Sequence, residues 1–367
     1  MSKLNIRRLT NENEDGAPSV SGIATFSSTA FLVPPTGTTA QRPEYVQPGM
    51  IRFNTDGAHL EYYNGVEWTE VLVANNSLDG GNRGVFGGGY ITPAGVNTID
   101  FVTISTIGNS FDFGDLSFGN ASLSSCSSST RGLFGGGNAP GTTNTIEYIT
   151  ISSTGNALDF GDRTTSVRSL SSTSSSTRGL FGGGFGNNNI IDYVTITSTG
   201  NAVDFGDLTI SRRNLTSCSS STRAIFGGGL ISPVVQNIID YITISTTGNA
   251  ITFGNLTTAM NTAAGCSNSI RGLFGGGGSP TVHNVIEYIT ISTLGNSQDF
   301  GDLTISRNNI SSCSSSTRGL FGGGGSPTLE NIIDYVSIAA TGNAQDFGDL
   351  SASKSQLTAC SNGHGGL

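Results

Sequence analysis

Carboxylates are the groups in this chain best able to do chemistry, and their spacing is regular. From residue 81 onward there are 17, and 16 of them fill three recurring positions. One is an acid ahead of Tyr or Phe (Asp100, Glu147, Asp192, Asp240, Glu287, Asp334); the others are both acids of segments such as Asp299-Phe-Gly-Asp302. Oxygen ligands repeated in this way could hold calcium, and an acid pair could cleave a glycosidic bond. The repetition itself argues against both. One copy reads Thr252-Phe-Gly-Asn255, so both charges are lost while hydrogen-bonding groups remain. A turn, or a pairing with the recurring Arg131, Arg178 and their equivalents, tolerates that exchange; a metal site does not. No copy carries an acid pair that sets it apart, so no catalytic residue, metal ligand or cofactor is expected.

The thiols repeat as well. Cys126, Cys218, Cys266, Cys313 and Cys360 share one position, and Thr173 fills it in the remaining copy. Equivalent places in a repeat are badly suited to pairing, and no two cysteines have the close spacing of a zinc site. They read as small, buried, reduced residues, which fits synthesis in a reducing cytosol. His59, His283 and His364 stand singly, with no distinguishable Ser or Cys partner, so nucleophilic catalysis has no support. The Gly-Gly-Gly runs lack the helix and the Lys-Ser/Thr of a phosphate loop, which leaves close backbone packing as their use.

All these residues are carried by one recurring stretch, Arg-Gly-Leu-Phe-Gly-Gly-Gly at 131–137. Its Phe recurs at Phe86, Phe134, Phe181, Phe226, Phe274 and Phe321, in steps of 48, 47, 45, 48 and 47 residues. Such a step suits propeller blades of four strands. In the last full copy the strands are expected over 310–315, 318–323, 331–338 and 344–350. The third is apolar on both faces, as a sheet sandwiched between two others requires. Gly-Asn pairs at 108, 155, 200, 248, 295 and 342 read as tight hairpin turns before the fourth strand. Counting strands leaves the first copy one short and a spare at 357–362. The expectation for residues 81–367 is therefore a six-bladed β-propeller, closed by the C-terminal strand lying beside 82–88.

Ahead of it, residues 1–48 read as an extended arm without helical period. Residues 49–80 read as a small β-meander and linker, with tight turns at Asp56-Gly57 and Asn64-Gly65. A sheet this small cannot bury Phe53, Tyr62, Tyr63 and Trp68 alone, so they are expected to serve attachment or oligomerisation.

Bulk properties narrow the class. Only 12% of the 367 residues are charged, 53 are Gly, and the net charge is −9, which argues against nucleic acid as a partner. No apolar run is long enough to span a membrane, and the polar N-terminus has no apolar signal core, so a soluble chain without membrane insertion is expected.

A strand ending in Gly-Gly, then Asp334-Tyr335, then Phe347, with Arg307 or Lys354 ahead of a small-residue strand, resembles the kelch repeat in order and length. It departs from kelch in its Gly triplet and in Phe where Trp is usual, so the fold is described as kelch-like and all-β. Separately, the Val33-Pro-Pro-Thr-Gly-Thr-Thr-Ala-Gln-Arg-Pro43 segment, Gly49 to Thr55 and Glu61-Tyr-Tyr-Asn-Gly-Val-Glu-Trp68 resemble the N-terminal part of virion structural and tail-fibre proteins of tailed phages, cyanophages especially. That resemblance implies a non-enzymatic virion component whose N-terminal region attaches it to other virion proteins, in a homo-oligomer for which a trimer is usual. The alternative is a capsid decoration or cement protein.

Recognition is expected where the copies differ. The connections after the second and fourth strands share one rim and diverge between copies, whereas those on the other rim are nearly uniform. That rim carries Tyr90, Phe185, Asn188, Arg212, Arg213, Gln236, His283 and Glu330, a mixture suited to a host cell-surface glycan or protein.

Overall fold

The computed structural model describes residues 34–57, 59–71, 82–186, 188–278, 281–325 and 327–367. Residues 1–33 of the expected arm and 72–81 of the linker lie outside these. The chain divides into two compact units between Asn75 and Asn76.

The first unit is the expected meander with one strand more. Ile51–Asn54, His59–Tyr63 and Trp68–Glu70 run antiparallel, and the short strand Thr36–Gly37 joins the edge in parallel. Among its described residues the fully buried side chains are polar: Arg52, Asn54 and Glu61. Arg42 and Asn54 donate to the Glu61 carboxylate and Arg52 lies 3.5 Å from it. The hydrogen bonds from Arg42 hold that carboxyl below its ordinary value. The apolar residues are left outside this hub.

The second unit is all-β. Its six principal sheets each have four antiparallel strands, and in five of them the strands follow chain order. The last full copy shows the pattern: Ser311–Ser314, Arg318–Gly322, Ile332–Ser337 and Gln345–Asp349. The first sheet differs, since Arg83–Gly87, Thr98–Thr103 and Phe111–Asp115 are completed by Thr358–Ser361 from the far end of the chain. That strand pairs antiparallel with Arg83–Gly87, Cys360 opposite Val85. Sheets are numbered one to six below, following the order of their Phe residues.

Interlocking contacts run from each sheet to the next and from the sixth back to the first. The Phe of one copy fills the space over the first Gly of the preceding copy: a Cβ on Gly135 would stand 2.6 Å from Phe181, and one on Gly322 would stand 2.6 Å from Phe86. This is why the triplet must begin with Gly. Serine hydroxyls on the first strands also donate in a complete circuit. Ser174 donates to the carbonyl of Ser127, Ser219 to Ser174, Ser267 to Ser219, Ser314 to Ser267, Ser361 to Ser314, and Ser127 to Ser361. Small polar side chains are thus required where six strands crowd together.

A second circuit is made by backbone. Ser122, Ser169, Asn214, Thr262, Asn309 and Gln356, each just before a first strand, have φ between 51° and 58°. Their N–H groups donate in turn, Ser169 to Ser122, Asn214 to Ser169 and onward, until Ser122 donates to Gln356.

The Gly-Asn pairs are not the hairpin turns. The turn closes earlier, with the Thr106 N–H donating to Thr103, and Gly108-Asn109 reaches across to the neighbouring sheet. There Gly108 N–H donates to Phe347 and the Asn109 side chain accepts from Asp349 N–H at 3.0 Å. A glycine is needed on the receiving side, because a Cβ on Gly348 would lie 2.5 Å from the Gly108 carbonyl. Sequence reasoning saw a local turn where the pair is a clasp between sheets.

Candidate functional site

The six recurrent acids beside Tyr or Phe are buried to 4% exposure or less, and their partners are not the expected ones. Arg131 and its equivalents lie over the Tyr or Phe of their own sheet, Arg131 at 4.8 Å from Tyr148, and donate to the next sheet, as Arg131 does to Ile196. The acids instead meet cations on the connection entering their sheet: Arg163 with Asp192 at 2.8 Å, Arg212 with Asp240 at 3.1 Å, Arg307 with Asp334 at 2.8 Å and Lys354 with Asp100 at 2.9 Å. Burial pulls the guanidinium of Arg307 below its ordinary value, and Asp334 opposes that shift.

Where the connection has no cation, the acid is Glu. Asn120 and Met260 hold the position of Arg212 and Arg307, and there Glu147 accepts from Ser117, while Glu287 accepts from Thr257 and Ser297. The Asp copies accept from the equivalent residue as well, Asp334 from Thr304 and Asp240 from Thr209, while Glu287 accepts in addition from Ser297. These acids thus have a structural use. Among the described residues no group of three or more His, Cys, Asp or Glu comes together as a metal site would require.

Arg212 therefore leaves the list of recognition residues, since its side chain is wholly buried in this pairing. The expected rim otherwise gathers unevenly. Phe185 is 46% exposed, with Arg168 at 4.7 Å and Arg213 at 4.8 Å from its ring. This Arg-Phe-Arg stack presents two cations and an aromatic edge. Tyr90 is half-buried, bridged to Ser355 on the connection that precedes Thr358–Ser361. Asn188 is taken up by its own loop, accepting from Ile190 N–H, and Gln236 donates to Val234 in its own loop. Glu330 accepts from Thr328, and His283 is half-buried with no partner for Nε2 among the described residues. Phe53, Tyr63 and Trp68 of the first unit are half-buried and Tyr62 is 38% exposed, with Tyr63 and Trp68 rings 5.7 Å apart.

The five cysteines are free and buried, and burial pushes their thiols up, Cys266 and Cys360 to about 12. Their sulfurs pack over the glycine after the recurrent Arg: a Cβ on Gly179 would stand 2.7 Å from Cys126. Thr173 replaces Cys in the one copy followed by Arg223-Ala224 in place of Arg-Gly.

Sequence reasoning missed the space enclosed by the first strands. Three cavities stack along them, of about 80, 100 and 50 Å³. The first opens between the six left-handed residues, and the last is lined by Ser127, Ser174 and His364. His364 Nδ1 accepts from Gly366 N–H, so Nε2 carries the proton and donates to Ser127 at 2.9 Å. Burial lowers the imidazole's affinity for a second proton. Neither feature has a usable sequence signal: Ser, Thr and Gln are not typical of positive φ, and a lone His is uninformative. No model of a known protein family matches the sequence, and no curated protein matches it.

Proposed function

We propose that the six sheets form a closed, six-bladed, kelch-like β-propeller and that this propeller is a recognition module. In this reading the protein is a non-enzymatic phage virion component, a tail or neck appendage. It is held to other virion proteins, as a homo-oligomer and preferentially a trimer, through its N-terminal region. The circuits of contact from sheet six back to sheet one support the closure. The virion assignment rests on the resemblance of 33–68, to which the first unit adds an apolar surface left open around a polar hub.

One observation carries the recognition role. Copies that agree almost residue for residue in their frame differ at one rim, where Phe185 stands exposed between Arg168 and Arg213. Nothing in the frame needs that stack, and an aromatic flanked by guanidiniums suits a cell-surface glycan or protein. The test is binding of the full-length chain to whole cyanobacterial cells across a strain panel. Strain-selective binding lost in Phe185→Ser supports recognition. Equal failure on every strain, with the rim covered by neighbours in images of the intact particle, would make it a decoration protein instead.

A further inference from the structure

We propose that the opening bounded by Ser122, Ser169, Asn214, Thr262, Asn309 and Gln356 is a binding site for an uncharged, hydroxyl-rich group, the terminal sugar of a neutral glycan. This deepens the recognition reading and rests on it.

All six residues sit at positive φ, where Gly is free of steric cost, Asn is tolerated, and Ser, Thr and Gln are disfavoured. The chain has 53 Gly and places one at none of these positions. Each instead carries a hydroxyl or an amide at the cavity edge, so the side chain is kept against a backbone penalty. Strain retained at Ser122, Ser169, Thr262 and Gln356 marks the place where the side chains act.

Beneath the opening stands a collar of Leu123, Leu170, Leu215, Ile310 and Leu357, broken in the fifth sheet by Ala263. The same sheet continues with Ala264 and Gly265 in the chamber wall, so one side of the passage is cut back below the opening. Facing this slot, Thr216 lines the chamber at 4% exposure, and its hydroxyl has no hydrogen-bond partner among the described residues. The corresponding hydroxyls of Ser124 and Ser171 are paired, at 2.6 Å each, with Ser172 and Ser217. A buried hydroxyl left open is costly unless something enters to meet it.

The lining chooses the ligand. Among the described residues no Asp, Glu, Lys or Arg lines the opening or the chamber, so an ion would enter without a counter-charge. Amides and hydroxyls at the edge, an apolar collar and a hydroxyl at the bottom match a sugar, whose ring has polar edges and apolar faces.

The test uses the full chain with free glucose, galactose and mannose, followed by saturation-transfer NMR. At least one sugar is expected to bind. Thr216→Val and Ala263→Leu are each expected to weaken it about tenfold, one by removing the hydroxyl and the other by filling the slot. Ala263→Leu restores the side chain found in neighbouring sheets, and an unchanged unfolding midpoint will show that it folds. Absence of binding by all three sugars, or binding indifferent to both substitutions, overturns the proposal. Cell binding lost in Phe185→Ser yet intact in Ala263→Leu would leave the rim reading standing and remove this site alone.

Discussion

The pairing of Cys with Gly, and of Thr with Ala, shows how finely single atoms are set between sheets. A sulfur stands further from Cβ than an oxygen or methyl does, so Cys126 needs Gly179, whereas Thr173 leaves room for Ala224. Gly179→Ala is expected to cost about 1–3 kcal/mol by overpacking. Adding Cys126→Thr should recover most of that loss, giving a coupling of about 1–2 kcal/mol by denaturant titration. Additive effects would show that the two positions do not share the space. His364 makes a pH prediction. Its folded pKa is depressed, so the unfolded chain takes up the proton first. Stability is therefore full above the ordinary His value and falls as pH drops through it toward the lower folded value. Unfolding midpoints between pH 7.5 and 5.5 should decline, and His364→Gln should remove that component of the decline.

At the scale of elements, the sheets are held at their edges by groups that only the assembled structure brings together. Arg307→Met would leave Asp334 buried without its cation, a loss expected at about 3–5 kcal/mol. The chain supplies the remedy, since Met260 coexists with Glu287. Asp334→Glu in the Arg307→Met background should regain part of the loss, giving the pairing of Met with Glu found in the fifth sheet, where Glu287 accepts from Thr257. No recovery in urea titration would show that the Asp and Glu copies are not alternative solutions.

What could be read from the sequence divides along the same line. The strands and the pairing of the last with the first were legible because hydrophobic periodicity and the 47-residue step are properties of the chain itself. The glycine triplet was legible as close packing, though not what packs there. The acids' partners, the Gly-Asn clasp and the left-handed circuit were not legible. The clasp and the circuit depend on which residues face each other across two sheets, and the acids' partners on how the entering connection packs on its own sheet; spacing along the chain gives neither. Arg212 illustrates the error: an arginine in a variable connection reads as exposed until Asp240 is found beside it.

For the whole molecule, the account depends on Thr358–Ser361 acting as the fourth strand of the first sheet. Its loss would expose the edge of Arg83–Gly87, remove Ser361 from the serine circuit, and strip Lys354 from Asp100. The decisive measurement is the thermal unfolding midpoint of the chain lacking residues 354–367, alone and with a synthetic 354–367 peptide. The account predicts a fall on the order of 10 °C, given the few kcal/mol carried by one strand, and recovery when the peptide is added. A midpoint unchanged by the deletion would contradict closure by the C-terminal strand, and with it the propeller and its rim.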